Sequence, residues 1–183
     1  MRSFSLYFPQ TGLEWHNEDS LLVSEKYPIF AVADGVTLPV ALYPDDGAKV
    51  IADLFCKTTV GVIEEHFSQI SRELITEAYL NANKLALKYN RERKIVDFAA
   101  VAVLAAVSDG KILGSRVTDC GLALFRNGQI VFKTPEFWSN AKQSSRQGYG
   151  KIDGSEGLEK YIDFYDLDYE TGDFLCLFSD GFE

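Results

Sequence analysis

The sequence is short of cysteine, of clustered positive charge and of long apolar runs, and each shortage closes off a class of protein. Only three cysteines, Cys56, Cys120 and Cys176, occur in 183 residues, an odd number with no close pair. Neither a disulfide framework nor a thiolate zinc site is indicated, and a reducing compartment is expected. Lys and Arg total 18 against 27 Asp and Glu, a formal charge of −9, and the basic residues are scattered. Nucleic acid and anionic membranes are therefore not expected as partners, because phosphate-rich surfaces are bound by clustered cations. No apolar run approaches the roughly 20 residues that a membrane-spanning helix needs. The opening "MRSFSLYFPQTG" has no signal-peptide core or small-residue cleavage site. A cytoplasmic monomer is expected. No internal repeat stands out at a solenoid period.

What the sequence does hold is core: 46% of its residues are hydrophobic and 13% aromatic, enough for one domain over residues 1–183. "FSLYF" at 4–8, "SLLVS" at 20–24 and the continuous apolar run "YPIFAVAD" at 27–34 predict three early strands. From Gly47 to Phe67 the apolar positions Val50, Ile51, Leu54, Phe55, Val62, Ile63 and Phe67 follow helical spacing. Asp45 and Asp46 are placed to favour that helix's N-terminal dipole, and Gly61 is a point where it could break. A second helix is carried by Leu74, Ile75, Ala78, Ala82, Leu85, Ala86 and Tyr89, with Asn90 as its stop. Four runs then follow at 98–107, 110–117, 121–126 and 129–133, with Asp109-Gly110 and Asn127-Gly128 as hairpin turns. An antiparallel meander is the expectation. The stretch 134–172 loses periodicity and reads as an irregular, flap-like segment, before a last buried strand "DFLCLFSD".

Two of the core strands end in the same way, at Asp34-Gly35 and Asp180-Gly181. Asp-Gly is a strong turn signal, so either carboxylate could be a turn residue. Glu18 and Asp19 precede the strand at 20–24, and Asp119 lies between two runs of the meander. The ordinary alternative is a solvated loop pair for Glu18 and Asp19 and a turn aspartate for Asp119. Together they put oxygen ligands of the kind Mg²⁺ or Mn²⁺ prefers around strand ends. The run Asp163, Asp166, Asp168, Glu170 and Asp173 reads as solvated surface, His66 as a helix-end residue, and Cys120 as buried.

The order "NEDS", "FAVADGVT", "VTDCGLALFRNGQI" and "GDFLCLFSDGFE" resembles the metal-dependent serine/threonine protein phosphatases of the 2C type. The resemblance spans nearly the whole chain. It implies an α+β fold, a four-layer αββα sandwich of two antiparallel sheets flanked by helix pairs. It also implies two Mg²⁺ or Mn²⁺ ions at one end of the sheets, room for a weaker third, and phosphorylated proteins as substrates in signalling. Carried over by position, Asp34 would bridge the metals, the Gly35 carbonyl would bind one directly or through water, and Glu18 or Asp19 with Asp180 would complete the shells. Asp119 would help hold the weaker ion. Inactive pseudophosphatases and small-metabolite phosphatases of the same fold are the alternatives.

The sequence departs from the family pattern in several places. Where the family usually reads Asp-Gly-x-Gly-Gly, Gly35 is followed here by Val36, Thr37 and Leu38, and Glu14 occupies the place of a phosphate-gripping arginine. His16 is the candidate for phosphate contact or general-acid work, its alternative being an exposed loop histidine. Asp97-Phe98-Ala99 stands near the family's Gly-Thr-Thr, and Thr118-Asp119-Cys120-Gly121 replaces Gly-Asp-Ser-Arg. The family's last metal aspartate lies beyond its Ser-Asp-Gly strand. Because this sequence ends at Glu183, the closing elements are expected to be absent.

Overall fold

The structure, a computed structural model, describes residues 17–36, 46–93, 98–136 and 150–179. Among the described residues, eight strands form two antiparallel sheets. β1 (Ser20–Val23), β2 (Ile29–Gly35), β3 (Ala100–Ser108), β4 (Lys111–Val117) and β7 (Asp163–Asp168) make a five-stranded sheet in the order β1-β2-β3-β4-β7. β5 (Gly121–Arg126), β6 (Gln129–Lys133) and β8 (Phe174–Phe178) make a three-stranded sheet in the order β6-β5-β8. Helices α1 (Gly47–Glu65) and α2 (Arg72–Arg93) cover one face of the larger sheet. The fold is α+β with two face-to-face antiparallel sheets, as the resemblance implied. The described residues comprise both sheets and one helix pair. Among them, no helix is long and apolar enough to cross a membrane.

β3 explains why the core has two compartments. Its nine residues are almost wholly buried, and alternate side chains point to opposite faces of the sheet. Ala100, Ala102, Leu104 and Ala106 meet the helices, where Ile51 and Phe55 of α1 and Ile75 and Tyr79 of α2 fill the layer. Val101, Val103, Ala105 and Val107 face the other way, onto Leu122, Leu124, Leu175 and Leu177 of the second sheet. The small alanines on the first face let the helices approach, while Phe55 and Tyr79 meet edge to face at 4.8 Å. The buried Tyr79 hydroxyl donates to the Ser115 carbonyl of β4 (3.3 Å) and accepts from the Ser115 hydroxyl (3.2 Å), so its polar tip is satisfied.

The helices match their spacing, with small differences. Gly61 does not break α1, which runs on to Glu65, and α2 continues three residues past Asn90. Asp46 is the N-cap of α1 but makes no side-chain capping bond. His66 is the exposed C-cap of α1, a helix-end residue as expected. Asp109-Gly110 and Asn127-Gly128 are both hairpin turns, all four residues having positive φ, which the right-handed twist of paired strands favours. The strand expected at 4–8 and Asp45 lie outside the described residues.

Three expectations need correction. The meander is interrupted, because β4 and β5 lie in different sheets. Thr118, with φ of 69°, redirects the chain between them in a left-handed conformation that no strand continues. The stretch 134–172 is not uniformly irregular, since β7 within it pairs with β4 in register from Lys111 opposite Asp168 to Arg116 opposite Asp163. Among the described residues, β8 is a half-buried edge strand rather than a buried one.

Candidate active site at one end of the sandwich

Strand register brings the candidate acids to a common end. Ser20 pairs with Ala33, Gly35 with Ala100, Ala102 with Val117, and Gly121 with Phe178. The start of β1, the end of β2, the end of β4, the start of β5 and the end of β8 therefore cluster together. Residues 17–19, Asp34-Gly35, Asp119 and Ser179 all sit at that end. α1 begins there too, against Gly35, and its 19 residues carry His66 about 28 Å away. His66 is excluded from any site built on these acids.

The closest join is between Glu18 and Gly35. The Gly35 N–H donates to the Glu18 carbonyl at 3.2 Å. A Cβ on Gly35 would stand 2.8 Å from the Ala48 carbonyl carbon and the Glu18 Cβ, and 2.9 Å from the Glu18 carbonyl oxygen. Only glycine lets the end of β2 wedge between the acidic segment and the first turn of α1. Val36 prolongs the sheet by one bond to the Ala99 carbonyl (2.9 Å) and packs against the inter-sheet core.

Asp34 is half-buried and stands opposite Val101. The Asp19 carboxylate accepts a hydrogen bond from the Ser179 hydroxyl (3.2 Å), so the acidic segment reaches the end of β8, one residue before Asp180. Asp119 sits in the crossover turn with its Oδ1 shielded from solvent, next to a fully buried Cys120. The Thr118 hydroxyl donates to the Gly150 carbonyl, tying that turn to the segment that follows. His16, Glu14 and Asp180 lie outside the described residues, as do Thr37 and Leu38.

The candidate donors named from sequence are all oxygen: the carboxylates of Glu18, Asp19, Asp34 and Asp119 and the Gly35 carbonyl. That chemistry suits a hard divalent cation and suits zinc or copper poorly. Among the described residues, no three carboxylate, cysteine or histidine side chains form a group that could hold a metal ion.

The residues that sequence reasoning missed lie behind the acids. The Lys49 ammonium, from the first turn of α1, donates to the Asp19 carbonyl (2.8 Å) and to Asp53 Oδ1 (2.8 Å). Asp53 also accepts from the Ser20 hydroxyl (2.7 Å). Burial alone would raise the Asp53 carboxyl, but hydrogen bonds from Lys49 and Ser20, with the charges of Lys49 and Lys57, outweigh it and hold the carboxyl below its ordinary value. The Cys56 thiol faces the Ser20 carbonyl at 3.6 Å; burial pushes it up to about 12, so it stays a protonated, weak donor at neutral pH. The only sequence signal for this network was the i, i+4 spacing of Lys49 and Asp53, which reads equally well as an ordinary helix-surface pair.

Comparison with known proteins adds the family. Among solved structures, the Mycobacterium tuberculosis serine/threonine phosphatase PstP/Ppp superposes with a TM-score of 0.74 at 14% identity, covering 92% of this chain and 74% of that one. The catalytic domain of PstP in complex with two manganese ions gives 0.70 at 15% identity, covering 92% and 73%. PppA, a regulatory component of the type VI secretion system in Pseudomonas aeruginosa, gives 0.68 at 16% identity, covering 91% and 71%. At such identities these likenesses carry the fold alone. No curated protein sequence matches significantly. The family model for protein phosphatase 2C, however, matches residues 14–183, a span that takes in the acidic segment, both Asp-Gly pairs and every described element. The chain belongs to the protein phosphatase 2C family.

Proposed function

We propose that this chain is a metal-dependent serine/threonine protein phosphatase that hydrolyses phosphomonoesters with a metal-activated water. The observation that carries the reading is the convergence of residues 17–19, Asp34-Gly35 and Ser179 at one end of the sandwich. Asp34, the Gly35 carbonyl, Glu18 or Asp19, and Asp180 would hold two Mg²⁺ or Mn²⁺ ions, with Asp119 toward a weaker third. When bound, such ions supply a water of lowered pKa and neutralise phosphoryl oxygens. The chain's own part is to set charge and geometry: the β2 end presents Asp34, and Gly35 brings the acidic segment against it. His16 remains the candidate for contact with the phosphoryl group. Substrates would be phosphorylated proteins, met in signalling by a cytoplasmic monomer.

Two departures in the sequence favour a second reading. Thr37 and Leu38 stand where the family usually keeps glycines after Asp-Gly-x, and Glu14 stands in the place of its arginine. A pseudophosphatase that binds phosphoprotein without turnover would tolerate both. Hydrolysis of p-nitrophenyl phosphate with added Mn²⁺, comparing the parent chain with Asp34→Ala, decides between them. The enzyme reading expects Mn²⁺-dependent turnover that Asp34→Ala lowers by roughly 100-fold or more, the scale of losing a key electrostatic group. No Mn²⁺-dependent turnover by the parent would leave only the binding reading. Turnover of small esters but not of phosphopeptides would point instead to a phosphorylated metabolite.

A further inference from the structure

We infer that Lys49 is a positioning residue for the acidic pair, and that Asp53 aims it. The inference rests on the proposed metal site but concerns how this chain builds it. Residues 17–20 belong to no strand until Ser20, so their conformation depends on bonds made to their backbone. The structure supplies one from each neighbour. The Asn17 side chain accepts from the Asp19 N–H (2.8 Å), Gly35 donates to the Glu18 carbonyl (3.2 Å), and Cys56 faces the Ser20 carbonyl (3.6 Å). Among these, the Lys49 bond to the Asp19 carbonyl (2.8 Å) is the charge-assisted one, and it falls between the other two carbonyls.

A flexible lysine holds one carbonyl only if its ammonium is aimed. Asp53, one turn further along α1, does this by accepting from Nζ at 2.8 Å while its same oxygen accepts from the Ser20 hydroxyl at 2.7 Å. The lysine, the aspartate and residues 19 and 20 thus form a closed ring of contacts between helix and acidic segment. Both side chains are about one-third exposed, Lys49 at 33% and Asp53 at 36%, so the ring is not required to fill the core. Its specific product is the placement of the peptide unit that bears Asp19, whose carboxylate meets Ser179 on the far side. Groups that orient metal ligands from behind typically cost 10- to 100-fold in metal affinity when removed.

The test uses the 183-residue chain and its Lys49→Met and Lys49→Arg variants. Mn²⁺ binding is measured by calorimetry without substrate, and amide hydrogen exchange at Gly35 and Val103 is measured without metal. Lys49→Met should weaken Mn²⁺ binding by about tenfold or more, while turnover at saturating Mn²⁺ changes less. It should also quicken exchange of the Gly35 amide, whose acceptor is Glu18, and leave Val103 unchanged. Lys49→Arg, which keeps a charged donor, should restore both toward the parent. Parent-like Mn²⁺ affinity with parent-like Gly35 exchange in Lys49→Met would overturn the inference. If the parent itself bound no Mn²⁺, the proposed metal site would fall, and Gly35 exchange alone would decide whether Lys49 positions the segment.

Discussion

At the scale of single residues, the clearest contrast is between two glycines. Gly35 is crowded by backbone on two sides, so Gly35→Ala must move either the first turn of α1 or the acidic segment. Overpacking of this kind costs about 1–3 kcal/mol, and a urea midpoint should fall accordingly. Gly61 lies inside α1, and a methyl group added to it would have nothing within 4 Å. Gly61→Ala should therefore stabilise by about 0.5–1 kcal/mol, through helix propensity and a less flexible unfolded chain. The same substitution thus takes opposite signs, and the sequence alone does not reveal which is which. Gly61 reads as a helix breaker, and Gly35 as half of a turn. What the sequence does carry at this scale is the identity of the acids, because a carboxylate ending an apolar run is conspicuous. What it hides is Lys49, whose role depends on a carbonyl 30 positions away.

At the scale of elements, α2 does more than cover the sheet. Its Asn90 is buried and bridges two segments: the amide donates to the carbonyls of Phe98 (2.9 Å) and Asp153 (3.0 Å), and its oxygen accepts from the Phe98 N–H (3.2 Å). Asn83, two turns earlier, accepts from the N–H groups of Asp153 and Gly154 and donates to the Ser155 carbonyl. Asn90→Ala would strand buried backbone groups, each worth about 1–3 kcal/mol, so thermal unfolding should report a loss of at least about 2 kcal/mol. Asn90 reads in sequence as a helix stop, whereas its work is to hold the start of β3 and the segment bridged to Ala100 at Ile152. β7 escaped notice for a related reason. Its three aspartates disfavour strand by propensity, yet Asp163 meets Arg116, Asp166 meets Arg72 and Asp168 meets Lys111. The cations come from β4 and α2, and no local window contains both members of a pair. The hairpins at Asp109-Gly110 and Asn127-Gly128 were legible because everything that fixes them is local.

At the scale of the whole molecule, 27 Asp and Glu residues make acid the natural challenge to stability, because carboxylates paired in the folded state must be protonated as the pH falls. Arg126, at the end of β5 opposite the candidate site, pairs with both oxygens of Asp173 (3.0 and 2.8 Å) and with Glu170 (2.7 Å), tying the β7–β8 crossover to the smaller sheet. Hydrogen bonds from Arg126, then from the Glu170 N–H, hold the Asp173 carboxyl below its ordinary value. A lowered carboxyl contributes stability that is fully present above the unfolded value, about 3.9, and is lost as pH falls through the folded one. Arg126→Gln should therefore melt below the parent at neutral pH, with the gap narrowing as the pH drops past 4, roughly the unfolded value. Melting curves from about pH 2 to 7 read this directly. The opposite end of the molecule has a different vulnerability. The hydrogen bond from Ser179 to Asp19 joins positions 160 apart in the chain. During synthesis, therefore, the acidic segment emerges long before the strand that completes its surroundings. Any partial unfolding that releases β8 also undoes this end of the sandwich. A clipped or half-folded copy, on that account, would lose the arrangement outright rather than keep a weakened version of it.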